Sequence, residues 1–286
     1  MGKRIVLFND LPGYGKVALA AMVPLFSRMG HFPYQVPTAV VSNTLDFGKF
    51  RIQDMTDYMR DTIKVWDELG FDPDCICTGF VLSEEQVELI GDYIRSRKPR
   101  MDEIQNVDNG RLVMVDPIMA DGGKLYNGIG MERVAAMRKL VSYSDVMVPN
   151  MTEAGFLTGI CPGRERASAA ELRELVDGLH KLSGKSVVIT SAHDSETDEH
   201  LVCGYDHKSG QHFRVPFTFL PVRVAGSGDI FSTVMTGKLL NGESLEAAVQ
   251  EAVRVLTALI RENQSHLDEY KGILVERYWE LLDENN

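Results

Sequence analysis

Short apolar runs alternate with longer amphipathic stretches along most of the chain. Runs such as IVLF, LVMV and VVIT are continuous, which is typical of strands buried on both faces of a parallel sheet. The predicted strands are Arg4–Asn9, Thr38–Val41, Cys75–Phe80, Leu112–Asp116, Val146–Pro149 and Val187–Thr190. The predicted helices between them are Lys16–Met29, Phe50–Leu69, Ser83–Arg97, Met131–Val141 and Ala167–Leu182. This order predicts right-handed crossovers and helices on both faces of one mostly parallel sheet.

The pattern changes after Thr190. A hairpin is predicted there, with Ser209-Gly210 as the turn between LVCGY and HFRVP. Three helices then close the chain: Asp229–Leu240, Ser244–Glu262 and one near Leu274–Leu282. No Ser/Gly/Pro-rich linker divides the sequence, so we predict a single domain over residues 1–286.

Composition narrows the class of partner. With 30 basic and 41 acidic residues the formal net charge is −11, which argues against binding to a nucleic-acid backbone. The first apolar stretch ends at Asn9 and Asp10, too soon for a signal-peptide core or a membrane span. We therefore expect a cytoplasmic protein without a membrane partner, whose four cysteines are reduced.

Polar residues follow most of the predicted strands. They are Asn9, Asp10, Ser42, Asn43, Thr78, Gly79, Asp116, Asn150, Thr190 and Ser191. Ligands of parallel sheets bind in the crevice beyond the carboxyl ends of the strands. We therefore expect these residues to converge on one site.

The stretch Gly226-Ser227-Gly228-Asp229 stands directly before an apolar run. Glycines allow close approach of a ligand, and the unpaired amides at a helix start favour a phosphate. Asp229 could accept the proton of an attacking hydroxyl beside that anion site. The alternative is a flexible turn in which Asp229 is only an N-cap. On these residues alone both interpretations stay open.

Two further carboxylates, Asp116 and Glu153, lie at predicted strand ends. Magnesium takes oxygen ligands and keeps several waters, so one or two carboxylates near triphosphate oxygens are sufficient. The alternative for Glu153 is structural, with Asn150 or Thr152 capping a helix and Glu153 in its first turn. The stretch Gly13-Tyr14-Gly15-Lys16 lacks the Walker spacing and is interpreted as a loop over the substrate.

Several of these stretches together resemble pyridoxal kinases of the ribokinase-like superfamily. In chain order they are the first-strand start, SNTLDFGKF (42–50), TGFVLS (78–83), VDPIMADGG (115–123), VPNMTEAGFLTG (148–159) and GSGD. The resemblance covers nearly the whole chain. It implies an α/β fold with three α/β/α layers, a homodimer, ATP with Mg²⁺, and phosphorylation of the 5′-hydroxymethyl group of a vitamin B6 pyridine. It leaves a requirement for a monovalent cation such as K⁺ open.

The resemblance also implies roles for individual residues. Gly226, Ser227 and Gly228 match the phosphate cradle, and Asp229 matches the catalytic base beside the substrate hydroxyl. The expected nucleotide contacts are Asp116, Val148, Asn150, Glu153, Thr190 and Ser191, with Asp116 and Glu153 near the metal. The expected vitamer contacts are Tyr14, Ser42, Asn43 and Gly79, together with Asp10, Leu45, Asp46 and Phe80.

Five positions depart from the usual family pattern. Asp10 stands where a serine usually faces the pyridine ring, and Leu45-Asp46 replaces Thr-Gln. Phe80 replaces a tyrosine, and Thr190 stands where some members carry a lysine. We hypothesise that the extra carboxylate of Asp10 favours a protonated ring nitrogen or an amine. The alternatives are a hydroxymethylpyrimidine kinase or another small-molecule kinase of the superfamily, and a non-enzymatic sensor of vitamer or nucleotide.

Overall fold

The computed structural model describes residues 2–97, 110–222, 224–265 and 272–282, without the side chain of Asp46. Eleven strands are present in these ranges. They are β1 (Arg4–Pro12), β2 (Phe32–Val41), β3 (Ile52–Asp54), β4 (Cys75–Thr78), β5 (Leu112–Val115), β6 (Ala120–Asp121), β7 (Lys124–Leu125), β8 (Val146–Met147), β9 (Ser186–His193), β10 (His200–Asp206) and β11 (Gln211–Pro216). Strands β6 and β7 form a small antiparallel ribbon, and the other nine form one sheet.

The sheet is parallel through its centre and antiparallel at both edges. Its strand order is β11-β10-β9-β8-β5-β4-β1-β2-β3. The pairs from β9 through to β2 are parallel, whereas β3, β10 and β11 are antiparallel to their neighbours. The carboxyl ends of the central strands therefore meet at one edge, where the polar residues were expected to converge.

Helices cover both faces of this sheet. They are α1 (Ala18–Arg28), α2 (Thr56–Glu68), α3 (Glu84–Arg97), α4 (Met131–Val141), α5 (Met151–Thr158), α6 (Ala169–Ser183), α7 (Ser227–Leu240) and α8 (Leu245–Asn263). Because strand side chains alternate, Val6 and Phe8 pack with α2 to α6, while Ile5 and Leu7 pack with α1, α7 and α8. The predicted three-layer α/β/α fold with a mostly parallel sheet is confirmed. Within the described ranges, none of the helices is long and apolar enough to cross a bilayer.

The sequence prediction was wrong at the sheet edge. The segment predicted as the start of a helix at Phe50 contains β3, and α2 begins only at Thr56. β3 is a short exposed strand that exists through its pairing with Ala39–Val41, and its local sequence gives little signal. The beginning of β2 was missed because Pro33 and Pro37 argue against a strand. Both prolines lie where β2 has no paired neighbour on the β3 side, so no ladder hydrogen bond is lost there.

Two helix predictions near the carboxyl terminus also need correction. The segment Leu274–Leu282 is not an α-helix but contains two 3₁₀ turns, Val275–Arg277 and Trp279–Leu282. α7 begins at Ser227, two residues before the predicted start at Asp229. The predicted hairpin is confirmed, since β10 and β11 pair around the 209–210 turn. The four cysteines are free thiols.

Candidate active site

The end of β1 brings the first functional side chain to the carboxyl edge of the sheet. Asn9 is 1% exposed, and its Nδ2 donates to Oδ1 of Asp229 over 3.1 Å. Its Oδ1 accepts from the backbone N–H groups of Asp10, at 3.0 Å, and Phe80, at 2.8 Å. A Cβ on Gly79 would lie 2.5 Å from Cγ of Asn9, so only glycine fits beside this amide. Asn9 therefore joins β1 to the loop after β4 and to the start of α7.

The start of α7 is built around Gly226. This glycine is the N-cap in the left-handed conformation, with φ 79°, and no side chain caps the helix. A Cβ here would meet the carbonyl oxygen of Lys16 at 2.9 Å and Cγ1 of Val17 at 3.0 Å. The segment before α1 thus packs directly against the turn. The first-turn amides of Gly228 and Asp229 lack intrahelical acceptors, whereas that of Ser227 makes a long hydrogen bond of 3.4 Å to the Val224 carbonyl. Free amides at this position make the helix start suitable for an anion.

Asp229 lies in the first turn of α7 and is not the N-cap, so the interpretation of this residue as a cap is wrong. Its Oδ2 accepts from the backbone N–H of Ala18 over 2.8 Å, and its Oδ1 accepts from Asn9. Burial raises the pKa of Asp229, and the two hydrogen bonds act in the opposite direction. Ala18 adopts a left-handed φ of 47°, an unfavourable conformation for a non-glycine residue. The backbone at the start of α1 is thus strained where it contacts this carboxylate.

Asp10 lies next to this carboxylate. Burial, and then the neighbouring charge of Asp229, raise the pKa of Asp10 to about 7, while its own backbone N–H has the opposite effect. This carboxyl group therefore changes its charge close to neutral pH. The sequence prediction that Asp10 lies at the site is consistent with this arrangement, and its contact with a vitamer stays a prediction.

Asn150 and Glu153 form a capping box at the start of α5. Oδ1 of Asn150 accepts from the Glu153 N–H at 2.9 Å, and Oε2 of Glu153 accepts from the Asn150 N–H at 2.9 Å. Oε1 of Glu153 accepts from the N–H groups of Met119, at 2.9 Å, and Ala120, at 3.4 Å. The structural interpretation of Glu153 is therefore confirmed, with Asn150 as the cap. Burial raises the pKa of Glu153 to about 7, although its three hydrogen bonds lower it.

Asp116 follows β5 and faces the start of α7. Ser232 Oγ donates to its Oδ2 over 3.2 Å. Burial raises the pKa of Asp116 well above its usual range, and the charges of Glu153 and Asp229 add to the rise. Across the described ranges, no lysine or arginine lies within ion-pair distance of these three carboxylates. In the described part of the chain, Asp116, Glu153 and Asp229 therefore have hydrogen-bond donors but no basic side chain as an ion-pair partner.

This charge distribution fits a divalent cation, but with unequal roles for the two predicted ligands. The described residues contain no group of three His, Cys, Asp or Glu side chains arranged to hold a metal by themselves. Asp116 has an oxygen free of backbone donors, whereas both oxygens of Glu153 already accept amide N–H groups. Magnesium bound mainly through phosphate oxygens and water needs only one such carboxylate. Asp116 is therefore suited to be a direct ligand of the cation. Glu153 is suited to be a negative charge behind Asp116 that does not touch the cation.

The remaining predicted nucleotide residues line β8 and β9. Thr190 N–H donates to the Pro149 carbonyl at 2.9 Å, and Thr190 forms a parallel bridge with Asn150. Ser191 is exposed with a left-handed φ of 52°, at a register shift between β9 and β10. Val148 is 2% exposed and packs into the core beside α7, so its side chain does not face the crevice. Only its backbone is available for a ligand.

The loops predicted to cover a vitamer form a connected unit at the end of β1 and β2. Tyr14 is 54% exposed, and its ring packs edge-on against Phe47 with centroids 5.6 Å apart. Its backbone pairs with the segment after β2, because Tyr14 N–H donates to the Ser42 carbonyl at 3.1 Å. Ser42 Oγ donates to Oδ1 of Asn43 at 2.7 Å, so these two polar side chains hold the loop itself. Leu45 is exposed, and the side chain of Asp46 lies outside the described part.

Two residues that contact Asp229 were given no individual role in the predicted site. Asn9 was among the polar strand-end residues expected to converge on the site, but only its neighbour Asp10 was assigned a ligand contact. The N–H of Ala18 carries no sequence signal, because a backbone donor has no residue identity. Ser232, the donor to Asp116, lies one turn into an apolar helix and was not distinguishable from a core residue.

Comparisons with known proteins agree with this architecture. The chain matches the phosphomethylpyrimidine kinase family over residues 20–274. It is 31% identical to a pyridoxine/pyridoxal/pyridoxamine kinase of Bordetella avium, over 85% of this chain and 79% of that protein. A hydroxymethylpyrimidine/phosphomethylpyrimidine kinase of Haemophilus influenzae is 30% identical over 64% of this chain and 63% of its own length.

Solved structures of related kinases have the same fold as this chain. A Bacteroides thetaiotaomicron protein, provisionally assigned as a phosphomethylpyrimidine kinase and crystallised with pyridoxal, superposes with a TM-score of 0.90 at 32% identity, over 99% of this chain and 96% of that one. Pyridoxal kinase from Lactobacillus plantarum superposes with a TM-score of 0.85 at 25% identity, over 98% and 96% of the two chains. The chain therefore belongs to the phosphomethylpyrimidine kinase family and, with its pyridoxal kinase relatives, to the ribokinase-like superfamily.

Proposed function

We propose that this protein is an ATP-dependent kinase that phosphorylates the 5′-hydroxymethyl group of a vitamin B6 vitamer. The observation that carries the proposal is the placement of Asp229. Its carboxylate is held by Asn9 and by the Ala18 N–H, beside the first-turn amides of α7, of which those of Gly228 and Asp229 have no intrahelical acceptor. A base next to an anion site is what transfer of a phosphoryl group to a hydroxyl requires of the protein.

In this mechanism Asp229 accepts the proton of the substrate hydroxyl as the hydroxyl oxygen attacks the γ-phosphorus of ATP. The bond between that phosphorus and the β–γ bridging oxygen breaks, and ADP leaves. The amides of residues 226–229 donate to the oxygens of the transferred group and stabilise charge as it develops there. The positive end of the α7 dipole acts in the same direction. Burial of Asp229 raises its pKa towards the range in which a general base works best, while the two donors keep the carboxylate oriented.

The nucleotide is proposed to lie along the ends of β5, β8 and β9. Asp116 and the backbone near Thr190 and Ser191 line that side of the proposed site. Asn150, which caps α5 and forms a bridge with Thr190, lies beside them. Magnesium, when bound with the nucleotide, supplies charge neutralisation for the phosphates. Asp116 would hold it, and Glu153 would add negative charge from behind. A monovalent cation such as K⁺ stays an open part of this proposal.

The vitamer is proposed to bind between Asp10 and the loop formed by Tyr14 and residues 42–47. The exposed ring of Tyr14 supplies an apolar surface for a pyridine. Phe80 follows β4 and donates its N–H to Asn9, the neighbour of Asp10, and we propose that it also contacts the vitamer.

The second candidate is a hydroxymethylpyrimidine kinase, favoured by the family model and by the Haemophilus relative. An ATP-consumption assay against pyridoxal, pyridoxamine, pyridoxine and hydroxymethylpyrimidine separates the two. We expect the highest kcat/KM with a B6 vitamer. A preference for hydroxymethylpyrimidine would favour the second candidate, and ligand-stabilised melting without any turnover would favour a sensor.

We also propose that the chain is a single kinase domain that forms a homodimer. Support comes from a cluster of exposed aromatic and aliphatic side chains on β2 and beside α2. Phe32, Tyr34, Leu69 and Phe71 are each between 45% and 60% exposed. Tyr34 and Phe71 both pack against Trp66, so these rings are connected, and a connected exposed apolar surface is typical of an interaction site. Light scattering after gel filtration should give twice the chain mass, and the cytoplasmic location stays a prediction from the sequence.

A further inference from the structure

Asn9 lies within β1 at the register shift with β2, and its side chain makes more polar contacts than strand pairing requires. The side chain is 1% exposed, and all of its hydrogen-bonding groups are used. Oδ1 accepts two backbone N–H groups, from Asp10 and Phe80, while Nδ2 donates to Asp229 and lies 3.3 Å from the sulfur of Met22. The backbone N–H groups of Asp10 and Phe80 can donate only to Oδ1 of Asn9, so the side-chain amide has one allowed orientation. In that orientation Nδ2 faces the Asp229 carboxylate.

The carboxylate of Asp229 is in an unfavourable electrostatic environment. Among the described residues, Asp10 on β1 and Asp116 after β5 are acidic groups whose pKa the charge of Asp229 raises. Like charges this close favour rotation of the carboxylate away from them, or uptake of a proton. Two donors oppose this, the Ala18 N–H from α1 and the Nδ2 of Asn9 from β1. Within the described chain, Asn9 supplies the side-chain donor to this base.

We propose that Asn9 is a positioning residue that fixes the orientation of the Asp229 carboxylate and ties it to the vitamer-side loop at Gly79 and Phe80. This inference rests on the proposed kinase function, in which Asp229 is the base. It goes further by assigning the alignment of the base to a residue that touches neither substrate nor phosphate. Gly79 belongs to the same arrangement, because any side chain there would displace the amide of Asn9.

The test is the substitution Asn9→Asp. Aspartate has the shape of asparagine and keeps an oxygen for the Asp10 and Phe80 N–H groups, but replaces the donor to Asp229 with a second acidic group. A hydrogen bond to a charged group is lost, so kcat should fall by about 10- to 100-fold. The KM for ATP and the affinity for ADP should stay within about threefold, because Asn9 contacts neither.

Asn263→Asp is the matched control. Asn263 is also fully buried, donates from Nδ2 to the Leu259 carbonyl at 2.8 Å and accepts from the Leu274 N–H at 3.1 Å. The same substitution there should lower the melting temperature and leave kcat within about threefold of the original chain. A fall in kcat in Asn9→Asp alone would separate positioning of the base from general destabilisation.

A second variant covers the case in which Asn9→Asp does not fold. Gly79→Ala leaves Asn9 in place but puts a Cβ 2.5 Å from its amide, so it should lower kcat at saturating vitamer by at least about tenfold. The inference is overturned if either folded variant keeps kcat within about threefold, or if ADP affinity falls in parallel with kcat. Absence of vitamer phosphorylation by the unaltered chain in the same assay would instead refute the proposed function.

Discussion

The turn that precedes α7 offers a quantitative test of the packing at the site. Gly226 has φ 79°, and a Cβ would lie 2.9 Å from the Lys16 carbonyl oxygen, 3.0 Å from Cγ1 of Val17 and 3.1 Å from its Cα. The perturbation is Gly226→Ala. Two of these three atoms belong to the backbone, so the added methyl group cannot be accommodated by a change of rotamer. Either the helix start or the segment before α1 must move.

The expected cost has two parts. A non-glycine residue in the left-handed region costs about 1–2 kcal/mol. Overpacking against a neighbouring segment typically adds about 1–3 kcal/mol. At roughly 2–4 °C per kcal/mol for a chain of this size class, the melting temperature should fall by about 4–20 °C. Displacement of Ala18 or Asp229 by a few tenths of an ångström to 1 Å should lower kcat by about 10- to 100-fold.

Gly210→Ala is the control that separates these parts. Gly210 has φ 71° in the β10–β11 turn, and a Cβ there would have no atom within 4 Å. Gly210→Ala therefore has the cost of a non-glycine residue in the left-handed conformation, but its added Cβ does not crowd any neighbouring atom. Differential scanning calorimetry and steady-state kinetics on both variants give the comparison. The reasoning is refuted if the two variants lose equal stability and Gly226→Ala keeps full activity.

Three further substitutions test the electrostatics of the site. Asp10→Asn should raise the melting temperature at pH 8 and have little effect near pH 4. The cost of ionising the Asp10 carboxyl in the folded state grows as the pH rises from its unfolded pKa of 3.8 to its folded pKa of about 7. Equal stabilisation at both pH values would contradict this. Asp10→Ser should change the ratios of kcat/KM among pyridoxal, pyridoxamine and pyridoxine, and unchanged ratios would refute the hypothesis that Asp10 selects the vitamer. Glu153→Gln leaves one amide oxygen for three N–H donors, so the free energy of unfolding, measured by urea titration, should fall by about 1–3 kcal/mol. The magnesium concentration that gives half-maximal activity should stay within about threefold of its value in the original chain. A large rise in that concentration would show that Glu153 is a direct ligand.

The parts of the fold that sequence predicted are those with a local cause. Continuous apolar runs identified the central strands within a few residues, because burial on both faces removes polar positions. The start of α7 was predicted to within two residues because the glycines at 226 and 228 directly precede an apolar run. β3 was missed because its existence depends on pairing with β2, a contact that its own three residues do not encode.

The site was predicted as a set of strand ends, but its connections were not. Asn9 and Asp229 are 220 positions apart in the chain, and nothing local to either residue indicates their hydrogen bond. Glu153 was assigned to the metal on resemblance, whereas its hydrogen bonds with the Met119 and Ala120 amides became visible only once α5 and the segment after β5 were placed together. The sequence therefore indicated which residues lie at the site. The hydrogen bonds between them could not be predicted, because they depend on the packing of segments that are distant in the chain.

The central claim is that Asp229 removes the proton of the substrate hydroxyl at the start of α7. The most direct measurement is formation of vitamer 5′-phosphate by the original chain and by Asp229→Asn, with ADP affinity measured in parallel by calorimetry. Asparagine keeps the shape but cannot act as a general base, an effect worth about 10²- to 10⁴-fold. We predict a fall in kcat of that size with ADP affinity within about threefold. Near-normal turnover by Asp229→Asn would contradict the account.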